Sequence, residues 1–117
     1  MTKVMLVEDD PTMLSLLQTL LEIEGFEVAK PAGFDNVVAE VVAHKPDVML
    51  VDVHLQDASG FDILEAIREE EAVKHTAVIM SSGMDFSSEC IQKGANDFVM
   101  KPYMPDELIE KIKKLIH

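Results

Sequence analysis

Five side chains stand at the ends of short apolar runs where they could act together. Glu8 and Asp9 follow Val4-Met5-Leu6-Val7, Asp52 follows Val48-Met49-Leu50-Val51, Ser82 comes just after Ala77-Val78-Ile79-Met80, and Lys101 follows Asp97-Phe98-Val99-Met100. Taken alone, Asp52 reads either as a site residue or as ordinary turn chemistry closing a strand. Other strands that end in reactive groups favour the first reading, because ligands and chemistry collect at the carboxyl edge of an open α/β sheet. Three carboxylates and one ammonium sum to a formal −2, which is costly in a crevice unless a cation enters or the acids take up protons. Hard oxygen donors, few in number and with room for water, suit Mg²⁺ or Mn²⁺. Such an ion, the Lys101 ammonium and the Ser82 hydroxyl are what phosphoryl transfer to a carboxylate requires, and Asp52 is the natural acceptor. No glycine-rich phosphate loop is present, so the donor is not expected to be a nucleotide held by this chain.

These residues meet only if the elements carrying them alternate. Asp10 and Pro11 open an amphipathic helix with Met13, Leu14, Leu17, Leu20 and Leu21 on one side and Gly25 at its end. A strand over 26–29 follows, then a helix with Val37, Val38, Val41 and Val42 in its stripe, stopped by Lys45-Pro46. The central strand leads into a turn-rich loop, Asp57-Ala58-Ser59-Gly60, and a helix that buries Phe61, Leu64 and Ile67. A weakly patterned helix over 85–93 ends at Gly94, and the last helix starts at Pro105 with Leu108, Ile112, Leu115 and Ile116 on one face. Five strands alternating with five helices predict a flavodoxin-like (βα)5 three-layer sandwich, its parallel sheet in the order 2-1-3-4-5. The first and third strands are then adjacent, and Glu8, Asp9, Asp52, Ser82 and Lys101 share one crevice.

The 117 residues are read as one domain, 1–117, with no linker, low-complexity tract or internal repeat. A net charge of −12 argues against nucleic-acid binding by this domain, since that affinity comes from Lys and Arg on phosphates. Apolar runs are too short to span a bilayer and no signal-peptide core follows Met1-Thr2-Lys3, so a cytoplasmic location without membrane contact is expected. The single cysteine, Cys90, excludes an internal disulfide and fits a reducing compartment. Cys90 and the eight methionines read as core fillers, and His44, His75 and His117 as surface residues.

Val7-Glu8-Asp9-Asp10, Leu50-Val51-Asp52, Met80-Ser81-Ser82-Gly83 and Lys101-Pro102, in that order and spacing, closely resemble the motifs of response-regulator receiver domains of two-component systems. The resemblance runs over essentially the whole chain. It implies that Asp52 is the phosphoacceptor, Asp9 a direct metal ligand, and Glu8 an acid reaching the metal through water. It gives the metal a further ligand in the backbone carbonyl of His54. Lys101 would hold the phosphoryl group, Ser82 would be the switch hydroxyl and Phe98 the switch aromatic, and Asp10 is left as a helix cap. A cis Lys101-Pro102 bond is implied as well. So is a course of events in which a sensor histidine kinase or phosphotransfer protein passes its phosphoryl group to Asp52, with Mg²⁺ required. The surface of the fourth helix, fifth strand and fifth helix then changes for a target, an output domain or a second copy.

Two departures mark this chain. Gln56 stands where such domains usually carry proline, and the stretch from Ser82 to Lys101 is about three residues shorter than usual, nearly one helical turn. The His54 imidazole is expected to face solvent near the pocket, where it could affect phosphoryl lifetime. Two other functions compete with a phosphorylated switch that is no metabolic enzyme. An aspartyl-phosphate phosphatase is loosely suggested by Asp52-Val53-His54, but His54 replaces the second acid and no cap domain is present. A degenerate receiver, binding partners without phosphorylation, fits less well with a complete set of acceptor, acids, hydroxyl and lysine. The chain reads equally as a free-standing protein or as part of a longer regulator.

Overall fold

The computed structural model describes residues 1–116, so His117 lies outside the described residues. The main elements are β1 (Lys3–Val7), α1 (Pro11–Ile23), β2 (Glu27–Ala29), α2 (Val37–His44), β3 (Val48–Asp52), α3 (Gly60–Glu69), β4 (Ala77–Ser82), α4 (Ser87–Gln92), β5 (Asp97–Met100) and α5 (Pro105–Leu115). The five strands form one parallel sheet in the order β2-β1-β3-β4-β5, as the alternation of elements predicts. Among the described residues no helix is long and apolar enough to cross a membrane.

Every residue of β3 is buried, because neighbours flank it on both edges and helices cover both faces. Successive strand residues point to opposite faces, so the alternation divides the core in two. Met5, Val7, Met49, Val51, Val78 and Met80 pack with Val37, Val41, Ile63, Leu64, Ile67 and Cys90 from α2, α3 and α4. Val4, Leu6, Val48, Leu50, Ile79 and Val99 pack with Leu17, Leu21, Leu108, Ile109 and Ile112 from α1 and α5.

Local chemistry sets both ends of α1. The Asp10 carboxylate accepts hydrogen bonds from the Thr12 and Met13 N–H groups at 2.9 and 3.3 Å, and Pro11 occupies the first turn of α1. Gly25, at φ +94°, lets the chain turn into β2.

Several details differ from the sequence reading. The loop after β3 holds a two-residue antiparallel ladder, His54–Leu55 with Ala58–Ser59, whose turn puts Asp57 at φ +62°. Gly60 begins α3 rather than ending a turn. Ile63 is buried more deeply than Phe61, which is half-buried toward α4. Cys90 is fully buried, and burial raises its thiol pKa to about 11. The methionines are only partly core: Met5, Met49 and Met80 are fully buried, but Met1, Met84, Met100 and Met104 are 49–89% exposed. The reason is position. Met1 precedes β1, Met84 and Met104 lie in loops, and Met100 ends the edge strand β5. His44 and His75 are exposed.

Candidate functional site

Sheet register places the acids. Val7 pairs with Val51 and Asp52 with Ser81, so Glu8, one residue beyond β1, reaches the level of Asp52. On the far side Met100 pairs with Ser82, and Lys101 follows with its N–H donating to the Ser82 carbonyl at 2.8 Å. From there Lys101 Nζ reaches Asp52 Oδ2 at 2.7 Å and Glu8 Oε1 at 2.8 Å. The Lys101–Pro102 peptide bond is cis.

Carboxylate oxygens of Glu8, Asp9 and Asp52 lie within 4.8 Å of one another. Glu8 and Asp52 are 5% and 6% exposed, which is unusual for acids and calls for partners. Glu8 Oε2 accepts from the N–H groups of Asp9 and Asp10 at 3.0 and 3.2 Å, and Asp52 Oδ1 accepts from the His54 N–H at 3.3 Å. Asp9 Oδ2 accepts from the Gln56 N–H at 2.6 Å, tying the first acidic loop to the loop after β3.

Burial raises the Glu8 pKa and the neighbouring Asp52 charge adds to this, while the hydrogen bond from Lys101 opposes it. For Lys101, burial alone would favour the neutral amine, but the hydrogen bonds to Asp52 and Glu8 outweigh it and hold the ammonium above its ordinary pKa. With one ammonium for three carboxylates, the cluster keeps its formal −2 and presents oxygen donors only, a set that fits a hard divalent cation.

The structure therefore brings Glu8, Asp9, Asp52 and Lys101 together. Ser82 is buried at the end of β4, next to β3, and its hydroxyl accepts from the Met84 N–H at 3.1 Å rather than bonding the acids. Phe98 is half-buried and packs against the core on the α2–α3–α4 side, and the His54 side chain is exposed.

Three contributors were not singled out from sequence. A Cβ at Gly60 would collide with the Asp52 carbonyl oxygen, so only glycine lets α3 start this close to the end of β3. The Ser59-Gly60 pair signals a turn but not this approach. The Tyr103 hydroxyl is buried without a hydrogen-bond partner among the described residues, and burial raises its pKa to about 12, with Lys101 pulling the other way. Phe86 touches both His54 and Phe61 from the start of α4.

Comparison with known proteins agrees with this geometry. The family model for the response regulator receiver domain matches residues 4–113. The chain is 32% identical to the sensory transduction protein BceR of Halalkalibacterium halodurans, covering 99% of this chain and 50% of BceR. It is 28% identical to the DNA-binding response regulator MtrA of Mycolicibacterium smegmatis, covering 95% and 49%. Its fold matches the receiver domain of the sensor histidine kinase PA1611 of Pseudomonas aeruginosa, solved with a magnesium ion in the active-site cleft, with a TM-score of 0.87, 25% identity, and 98% and 97% of the two chains covered.

The chain belongs to the response-regulator receiver family. Members of that family are signalling switches of two-component systems rather than metabolic enzymes, and the Glu8, Asp9 and Asp52 cluster fits their phosphorylation site. The chain spans about half the length of the curated relatives it matches.

Proposed function

We propose that the chain accepts a phosphoryl group on Asp52 from a phosphohistidine of a sensor kinase or phosphotransfer protein. The observation that carries this reading is the Lys101 ammonium between Asp52 Oδ2 and Glu8 Oε1, beside a carboxylate cluster with excess negative charge. An Asp52 oxygen attacks phosphorus, the phosphorus–nitrogen bond breaks, and the electron pair leaves with the imidazole, giving an acyl phosphate. Two acids hold the Lys101 ammonium beside Asp52, from where its charge would neutralise the phosphoryl oxygens.

Glu8, Asp9, Asp52 and the His54 carbonyl are the groups that would hold Mg²⁺ or Mn²⁺, Glu8 through water. The ion, when bound, supplies charge neutralisation for the transferred oxygens. Ser82 would turn toward a phosphoryl oxygen, and Phe98 would move into the space this frees. The surface of α4, β5 and α5 then changes for an output domain, a separate target or a second copy, with no direct contact to nucleic acid or membrane and a cytoplasmic setting.

Intact mass after incubation with acetyl phosphate and Mg²⁺ tests the reading. The wild type gains one phosphoryl group, and Asp52→Ala or EDTA abolishes the gain. An unlabelled wild type, under conditions that label another receiver, refutes it and favours a partner-binding role without phosphorylation.

A further inference from the structure

The loops that leave the neighbouring strands β3 and β4 touch through aromatic rings. Phe86 lies 5.6 Å from the His54 ring, tilted by 53°, and 5.9 Å from Phe61 at 88°, an edge-to-face arrangement. Phe61 carries the ammonium of Lys93, the residue that follows α4, 5.4 Å from its ring centre. One ring thus joins the loop after Asp52, the start of α3 and the start of α4.

Both ends of this connection lead to groups that matter. The His54 N–H donates to Asp52 Oδ1 at 3.3 Å, so the residue whose ring meets Phe86 also touches the acceptor. On the other side, the Phe86 carbonyl accepts from the Cys90 N–H at 2.8 Å, fixing it to α4, and its own N–H donates to the Met84 carbonyl at 3.0 Å. Met84 is in turn tied by its N–H to the Ser82 hydroxyl. Residues 82–86 therefore run as a short tether from that hydroxyl to the aromatic contact.

We propose that Phe86 is a positioning residue that latches the loop after Asp52 to α4 and lengthens the life of the acyl phosphate. The proposal rests on the reading of Asp52 as acceptor. Loss of the phosphoryl group is hydrolysis: water oxygen bonds to phosphorus, the bond from phosphorus to the Asp52 oxygen breaks, the electron pair returns to the carboxylate, and a water proton passes to phosphate or solvent. While the His54 and Phe86 rings meet, the gap between the β3 and β4 loops is bridged. Water gains an approach to phosphorus when the contact opens. Hydrolysis then follows the population of the open form, and each ring counts only through the other.

The test labels the chain with acetyl phosphate and Mg²⁺, removes the free donor, and follows the decay by intact mass for wild type, Phe86→Ala, Phe86→Leu, His54→Ala and the double alanine variant. Each single alanine substitution shortens the half-life about two- to tenfold, the fold-change expected for losing one aromatic pair. Phe86→Leu, which keeps apolar bulk and foldedness, falls between, and the double variant decays no faster than the faster single one. A melting temperature for each variant separates lost packing from lost coupling. Unchanged half-lives, or single effects that multiply in the double variant, overturn the latch while leaving Asp52 as acceptor. A wild type that takes no label overturns both.

Discussion

Lys101→Met isolates the electrostatics of the site. The substitution keeps most of the apolar stem and removes the charge that holds two acids only 5% and 6% exposed. Deleting one partner of a buried ion pair costs about 3–5 kcal/mol, but the Lys101 side chain is itself 24% exposed, so solvent screening brings the figure below that range. Proton uptake by Glu8 sets a further ceiling for that acid. Protonating a carboxyl of ordinary pKa 4.5 at pH 7 costs about 3.4 kcal/mol, from about 1.36 kcal/mol per pH unit, so its charged form cannot cost more. The expected loss is about 2–3 kcal/mol at pH 7, or roughly 8–12 °C in melting temperature for a domain of this size.

The pH dependence has a definite sign. Because the folded chain raises the Glu8 pKa, it binds more protons than the unfolded chain between the ordinary and the raised value, so this group's contribution to stability falls as pH rises through that window. Without the ammonium the upward shift grows. The gap between variant and wild type in urea unfolding therefore narrows from pH 7 to pH 5.5, and narrows again when Mg²⁺ is added at pH 7. A gap that ignores both, or a variant more stable than wild type at pH 7, would refute the account of an uncompensated acid pair.

Three more outcomes follow from single contacts. Gly60→Ala drives a Cβ into the Asp52 carbonyl and lowers urea-measured stability by about 1–3 kcal/mol, and an unchanged midpoint would show that α3 starts elsewhere. Arg68→Met frees the carbonyls of Lys74, Thr76 and Gly94 and the Asn96 side-chain oxygen, which the guanidinium bonds at 2.7–3.0 Å. It costs about 2–3 kcal/mol, with hydrogen exchange accelerated at Val78, whose N–H shares the Asn96 oxygen, and equal exchange there would count against the clamp. Tyr103→Phe removes a buried hydroxyl that has no partner among the described residues and leaves stability equal or up to about 1 kcal/mol higher, whereas a clear loss would reveal a partner for that oxygen.

Much of this molecule is written in one dimension. Buried strands on a parallel sheet need continuous apolar runs, and helices covering the sheet need stripes, so the order of elements follows from where Val48-Met49-Leu50-Val51 and its counterparts fall. Asp10 as a cap could be read in the same way, because its partners Thr12 and Met13 are close along the chain. The candidate site was legible because polar groups at the ends of parallel strands must converge, whatever the loops do.

Other features depended on where distant segments lie in space. That Gly60 is required shows only when α3 is laid against Asp52, and the exposure of Met100 only when β5 is seen to be an edge strand. The hydroxyl of Ser82 was legible as a group but not in its bond to Met84. Phe86, at the start of a short helix, carries no signal of its own in the sequence, and its role shows only when the rings of His54 and Phe61 are found beside it. Sequence alone determined the order of elements and the charges at the strand ends, because periodicity and residue type are local properties. The tertiary structure alone decided which groups touch and which side chains stay exposed, because contact depends on the packing of segments far apart in the chain.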